Sequence, residues 1–215
     1  MSLTLHCHPL AAFAQKVLIA LYENATPFKP HIVDLGDPAA NAAFKRLWPI
    51  GKMPVLRDDA RDRTIPESSI IIEYLAQHYP GATALLPADP DLALATRLRD
   101  RFYDHYIGYP MQRIVADRLR PSDGRDPIGV AEAQAQLRTA YDVIDQQTAD
   151  STWAMGGMFT MADCAALPAL YYANEVLPFR SSHRHAASYL DRLMQRQAVA
   201  RVLAEAEPYR HLFPR

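Results

Sequence analysis

Twelve residues, Pro80 to Asp91, constrain this chain more than any others. They hold three prolines and one glycine (Pro-Gly-Ala-Thr-Ala-Leu-Leu-Pro-Ala-Asp-Pro-Asp), and proline lacks the N–H that helix and sheet ladders both need. The chain on either side has a different grain. Before the break, Leu3 to Cys7 alternates like a strand, and Phe13, Val17, Leu18, Leu21 and Tyr22 recur at helical spacing up to Asn24. Phe28 to Asp34 and Met53 to Arg57 are further strands, with a short helix over 39–47 between them. Asp58-Asp59 turns into Arg63-Thr64-Ile65, and a helix follows over 67–79. The order β-α-β-α-β-β-α predicts a mixed sheet covered by helices.

After the break every element reads as helix. Asp89-Pro90-Asp91 is a helix start, with a capping acid and a proline at the first position. That helix runs through Leu94, Leu98, Phe102 and Tyr106, and a kink is expected at Pro110 before it resumes over 111–119. Asp126-Pro127 repeats the start signal for a helix with Val130, Leu137, Tyr141 and Ile144 inward. Thr160 to Asp163 is a capping box opening a helix through Tyr172, and two shorter helices over 186–195 and 198–207 end the chain. The expected architecture is α/β plus all-α: a small α/β domain over 1–80, a linker over 81–91 and an all-helical domain over 92–215.

Charge excludes several partners. Lys+Arg 23 against Asp+Glu 24 leaves −1, so no basic excess points to nucleic acid or an anionic membrane. No run of about 18 apolar residues is present to span a bilayer. Met1 to Leu10 lacks a basic stretch followed by an apolar run, so no leader is expected and the expected location is the cytoplasm. Two cysteines, Cys7 and Cys164, are too few for a four-thiolate metal site, and the phosphate-loop, dinucleotide, paired-histidine zinc and C-x-x-C motifs are absent. No metal and no tightly bound cofactor is expected.

Two segments could carry chemistry. In Gly51-Lys52-Met53-Pro54-Val55-Leu56 a proline enters a strand, and X–Pro is the bond that tolerates cis. A cis Met53–Pro54 bond would turn the Met53 N–H and C=O outward, where a peptide-like ligand pairs as an added strand; an ordinary turn is the alternative. In Ile65-Pro66-Glu67-Ser68-Ser69 a strand gives way to a helix. The free N–H groups of a helix start attract a carboxylate, Ser68 adds a hydroxyl and Glu67 accepts from an ammonium. Together they suit an α-amino-acid headgroup; plain helix capping is the alternative.

The combination of G-K-x-P-x-L, a hairpin and P-E-S-x-x-I-x-x-Y-L resembles the glutathione transferase superfamily, of the cytosolic, bacterial-like, serine/cysteine type. The resemblance covers the whole chain and implies a thioredoxin-like N-terminal domain followed by a helical one. By it, Met53 pairs with the cysteinyl backbone of glutathione, Pro54 is cis, Glu67 and Ser68 hold the γ-glutamyl end, and Lys52 lies near the glycyl carboxylate. In that type the sulfur-contacting residue precedes a basic residue by five positions, so the run Ala11 to Lys16 puts Ala11 at the sulfur. An unperturbed thiol is only about 3% thiolate at pH 7, and Ala11 has no group with which to change that.

The resemblance also makes Ala11, Phe13, Tyr103, Tyr106 and Pro110 walls of the co-substrate cleft, with Tyr103, Tyr106 and Pro110 on one helix face and the Tyr106 hydroxyl the candidate to contact sulfur. The implied activity is transfer of the glutathione thiol to a small electrophile by a homodimer, with glutathione as co-substrate. The alternative is a glutathione-binding protein of this fold without catalysis. A thiol oxidoreductase would need a cysteine in the active-site turn, and Cys7 stands four residues before Ala11.

Overall fold

Leu3, Leu5 and Cys7 point one way from the first strand and are buried, while Thr4 and His6 point the other way, the period-2 alternation of a sheet with a covered face. This strand, β1 (Leu3–Cys7), is central in the sheet of a computed structural model that describes residues 2–214. It pairs in parallel with β2 (Lys29–Ile32) and antiparallel with β3 (Val55–Asp58), which pairs antiparallel with β4 (Arg63–Pro66), giving the order β2-β1-β3-β4. The parallel pair requires a crossover, supplied by α1 (Ala12–Glu23), whose Ala14, Val17, Leu18 and Leu21 are buried. Next come α2 (Pro38–Leu47), capped by Asp37 onto the Ala40 N–H at 2.8 Å, and α3 (Ser68–His78) after β4.

The helical half comprises α4 (Pro90–Phe102), α5 (Tyr109–Arg118), α6 (Pro127–Gln147), α7 (Met161–Val176), α8 (Arg184–Gln195) and α9 (Gln197–Ala206). Asp89 and Asp126 cap α4 and α6 as their sequence signals indicate. The capping box forms: Thr160 Oγ1 accepts from the Ala162 N–H, and the Asp163 carboxylate accepts from the Thr160 N–H. Asp163, fully buried, also accepts from the Ala154 N–H and the Tyr189 hydroxyl. One hydrophobic core runs through both halves, with Leu5, Leu21 and Ile71 joined to Ile107, Leu167 and Leu190. This is a thioredoxin-like α/β domain followed by an all-helical domain. No helix among the described residues is long and apolar enough to cross a membrane.

Two features differ from the sequence pattern. Leu94, Leu98 and Tyr106 face solvent, at 66, 68 and 50% exposure, whereas Ala93, Thr96, Asp100, Tyr103 and Ile107 are buried. The inward face of this helix is thus partly polar, and its most apolar stripe looks outward. The irregularity expected at Pro110 also begins earlier, because Tyr103–Gly108 is a π-helix. Pro110 cannot donate to the Tyr106 carbonyl and its ring crowds that group, so the wider turn just upstream accommodates it.

Candidate active site

A cavity of about 300 Å³ opens between the two halves. Its α/β wall consists of Phe13, Leu35, Gly51, Lys52, Met53, Pro54, Glu67 and Ser68, and its helical wall of Arg101, Asp104, Tyr109 and Gln112. The Met53–Pro54 bond is cis. Among the described residues, no backbone hydrogen bond uses the N–H or C=O of Met53.

Glu67 has φ +67° and ψ +116°. That is a conformation side chains avoid, at a cost of about 1–3 kcal/mol, and such strain clusters at ligand clamps. It lets β4 reverse sharply into α3 beside the cavity. No side chain caps α3, so the N–H groups of its first turn remain as donors next to the Ser68 hydroxyl. The partial positive charge of that helix end favours an anion there.

The start of α1 borders this cavity. Ala11 is the residue before α1, half-buried, and its N–H donates to the His8 carbonyl at 2.9 Å. Phe13 lines the cavity and Ala12 an adjoining crevice, whereas Ala11 lines neither. Behind the turn, Gln15 donates to the Pro9 carbonyl and to the Tyr172 hydroxyl, both at 2.8 Å. The Cys7 thiol is buried in the core, and that burial pushes it up to about 12, so it is not a poised nucleophile.

The aromatic stretch is arranged differently from its α-helical projection. Tyr103 is buried away from the cavity, where burial and the nearby Asp163 raise its hydroxyl pKa. Tyr106 packs on Phe102 (ring centroids 5.2 Å apart) on the outer surface, and Pro110 is buried; none of the three lines the cavity. The physical cause is the π-helix. Its i→i+5 bonds, among them the Tyr109 N–H to the Asp104 carbonyl, hold more residues per turn than 3.6 and rotate the following face. Tyr109 and Gln112, three residues apart, take the place beside the cavity, with the Tyr109 ring 5.9 Å from that of Phe13.

Sequence reasoning missed Arg101, Asp104, Tyr109 and Gln112. A charged pair at i,i+3 reads as a solvated face, and nothing in the sequence marks a π-helix. The scattered histidines form no metal centre: no group of three His, Cys, Asp or Glu among the described residues is placed to hold an ion. The His6 and His31 rings pack tilted, with centroids 4.7 Å apart, and burial, then the His31 charge, holds His6 below its ordinary value.

A thioredoxin-like sheet joined to a helical bundle, with a cis-proline loop and an uncapped helix start facing one cleft, places the chain among two-domain proteins of thioredoxin-like plus all-helical architecture. Residues 5–83 match the family description "Glutathione S-transferase, N-terminal domain" and residues 127–192 match "Glutathione S-transferase, C-terminal domain". The chain is 30% identical over 162 residues to the glutathione S-transferase-like protein LUC7 of a Fusarium species, covering 74% of this chain and 70% of that one. A glutathione S-transferase structure from Methylobacterium radiotolerans, in complex with glutathione sulfonate, superposes with TM-score 0.82 at 30% identity, over 93% of each chain. One from Methylobacillus flagellatus with glutathione bound superposes with TM-score 0.85 at 22% identity, over 94% of this chain and 98% of the other. The chain belongs to the glutathione transferase family.

Proposed function

We propose that this protein binds glutathione in the cavity between its two halves and transfers the thiol to an electrophilic small molecule. The observation that carries the reading is the strained, uncapped Glu67–Ser68 helix start opening into the same cavity as Met53 and Pro54. Glu67 would accept from the γ-glutamyl ammonium, and Ser68 with the first-turn N–H groups would hold its carboxylate. Met53 would pair with the cysteinyl backbone, and Lys52 would face the glycyl carboxylate. Glutathione laid along these groups directs its sulfur toward the β1–α1 turn and the electrophile toward Phe13, Tyr109 and Gln112. The thiol loses its proton to solvent, and the thiolate attacks the electrophilic carbon directly, forming the C–S bond as that carbon expels its leaving group (halide, for an aryl halide); no covalent enzyme intermediate forms, and the protein supplies proximity and charge stabilisation.

By the resemblance to the serine/cysteine type, Ala11 would take the sulfur position, where it offers no side-chain donor. Stabilisation of the thiolate then falls to the N–H groups that begin α1 and to the Tyr109 hydroxyl, which takes the role that the resemblance had implied for Tyr106. This is also what favours a second reading, a glutathione-binding protein without catalysis. The domain division at 1–80 and 92–215, a homodimeric state and a cytoplasmic location complete the proposal. Titration calorimetry with glutathione and a conjugation assay with an aryl halide test it together. Binding with turnover supports the transferase, binding without turnover supports the second reading, and absence of binding removes both.

A further inference from the structure

Beneath the cavity lies a group the proposed chemistry does not use. Lys16, on α1, is fully buried, with 1% of its side chain exposed. Its ammonium donates to Ser69 Oγ at 2.7 Å and to Asp104 Oδ2 at 2.8 Å, and stands 2.6 Å from Asp100 Oδ1. Ser69 Oγ in turn donates to Asp100 Oδ2 at 2.6 Å. Arg101 reaches Asp100 and Asp104 from the solvent side, each at 2.6 Å. Two cations balance two carboxylates. A buried ammonium is tolerated only with such pairing, and apolar residues of similar volume serve stability as well or better. What the cluster adds is geometry. One ammonium joins three walls of the cavity: α1, the first turn of α3 through Ser69, and α4 with its π-helix through Asp100 and Asp104.

We propose that Lys16 is a positioning residue of the glutathione site, fixing through Ser69 where the first turn of α3 presents Ser68 and its free N–H groups to the γ-glutamyl carboxylate. The inference rests on the glutathione reading above. Ser69 follows directly on Ser68, so a shift of the Ser69 hydroxyl by a fraction of an ångström moves the donors that meet the ligand. Asp104 and Arg101 carry the same cluster to the opposite wall of the cavity, so α3 is held relative to the helical half as well as to its own domain.

The test compares wild type, Lys16→Met and Ser69→Ala by protein-observed NMR titration with two ligands. These are glutathione and γ-aminobutyryl-cysteinylglycine, which keeps the ammonium and lacks the γ-glutamyl carboxylate. Both variants are expected to weaken glutathione binding at least tenfold and to change binding of the analogue by less than threefold. A role limited to stability would weaken both ligands alike or neither, and either result overturns the proposal. Ser69→Ala leaves the Lys16–Asp100 and Lys16–Asp104 pairs in place, so it carries the test if Lys16→Met does not fold. Wild-type protein that fails to bind glutathione removes the functional reading and this role with it. Wild-type binding with both variants unchanged removes the positioning role alone.

Discussion

Glu67 holds a backbone conformation that few side chains adopt, with φ +67°; its carbonyl accepts from the Ile71 N–H at 2.9 Å, but its side chain caps no helix. The return is expected on binding: an ammonium at its carboxylate. Losing a hydrogen bond to a charged group costs about 1.5–3 kcal/mol, so Glu67→Ala should weaken glutathione binding about ten- to hundredfold by calorimetry. Lys52→Ala should cost less, because Lys52 is exposed and its partner is screened. Unchanged affinity in Glu67→Ala would remove this residue from the site. At Ala11 the expected gain runs the other way. Single preorganised donors shift rates by about 10²–10³, so Ala11→Ser should raise conjugation of an aryl halide at least tenfold. A fall in turnover with binding intact would show that the sulfur lies elsewhere along the turn.

Among the elements, α7 has the most strongly determined start. Asp163 closes the capping box and takes up the Ala154 N–H at 2.8 Å and the Tyr189 hydroxyl at 2.6 Å while wholly buried. Asp163→Ala strips partners from several buried donors at once, each worth about 1–3 kcal/mol when left unmade. It should destabilise the protein by at least about 3 kcal/mol in urea unfolding, and Thr160→Ala by about 1 kcal/mol. A loss below about 1 kcal/mol for Asp163→Ala would mean the box is replaceable by water. The π-helix is the opposite case. The capping box is legible because four residues in sequence specify it, whereas the wide turn at Tyr103–Gly108 answers to Pro110 and to the surfaces packed on both sides. Helical spacing therefore placed Tyr103, Tyr106 and Pro110 together, and the structure brings Tyr109 and Gln112 to the cavity instead.

For the molecule as a whole, the outward apolar stripe calls for a cover. Leu94 and Leu98 share a face of α4, and the Glu73–Arg97 ion pair (2.8 Å) ties that helix to α3, where Ile70 is 54% exposed. A second copy of this 24.1-kDa chain is the expected cover: sedimentation at micromolar concentration should give about twice the chain mass, and Leu98→Glu should return it to the monomer. A monomeric wild type would refute this. Alkaline stability is a second property of the folded whole. Burial pushes the Cys7 thiol from its ordinary 9.0 up to about 12, and the Tyr172 hydroxyl from 10.0 up to about 12. Between those limits the unfolded chain binds fewer protons than the native one, so stability falls as pH rises from about 9 toward 12. The melting temperature should decline across that window, less steeply in Cys7→Ala; a flat profile would contradict the buried placement of both groups. Element order and the capped helix starts at Asp89, Asp126 and Thr160 were legible in the residues themselves, because each is written in residues close together in the chain and depends on local backbone chemistry; the joining of Met53-Pro54 to Glu67-Ser68 came from the family resemblance. Only the tertiary structure decided which face of α4 turns inward, that Lys16 meets Asp100 and Asp104 across the two halves, and that Tyr109 faces the cavity. Those outcomes depend on contacts between residues far apart in sequence, where the burial of one charge or ring is settled by what another element brings to it.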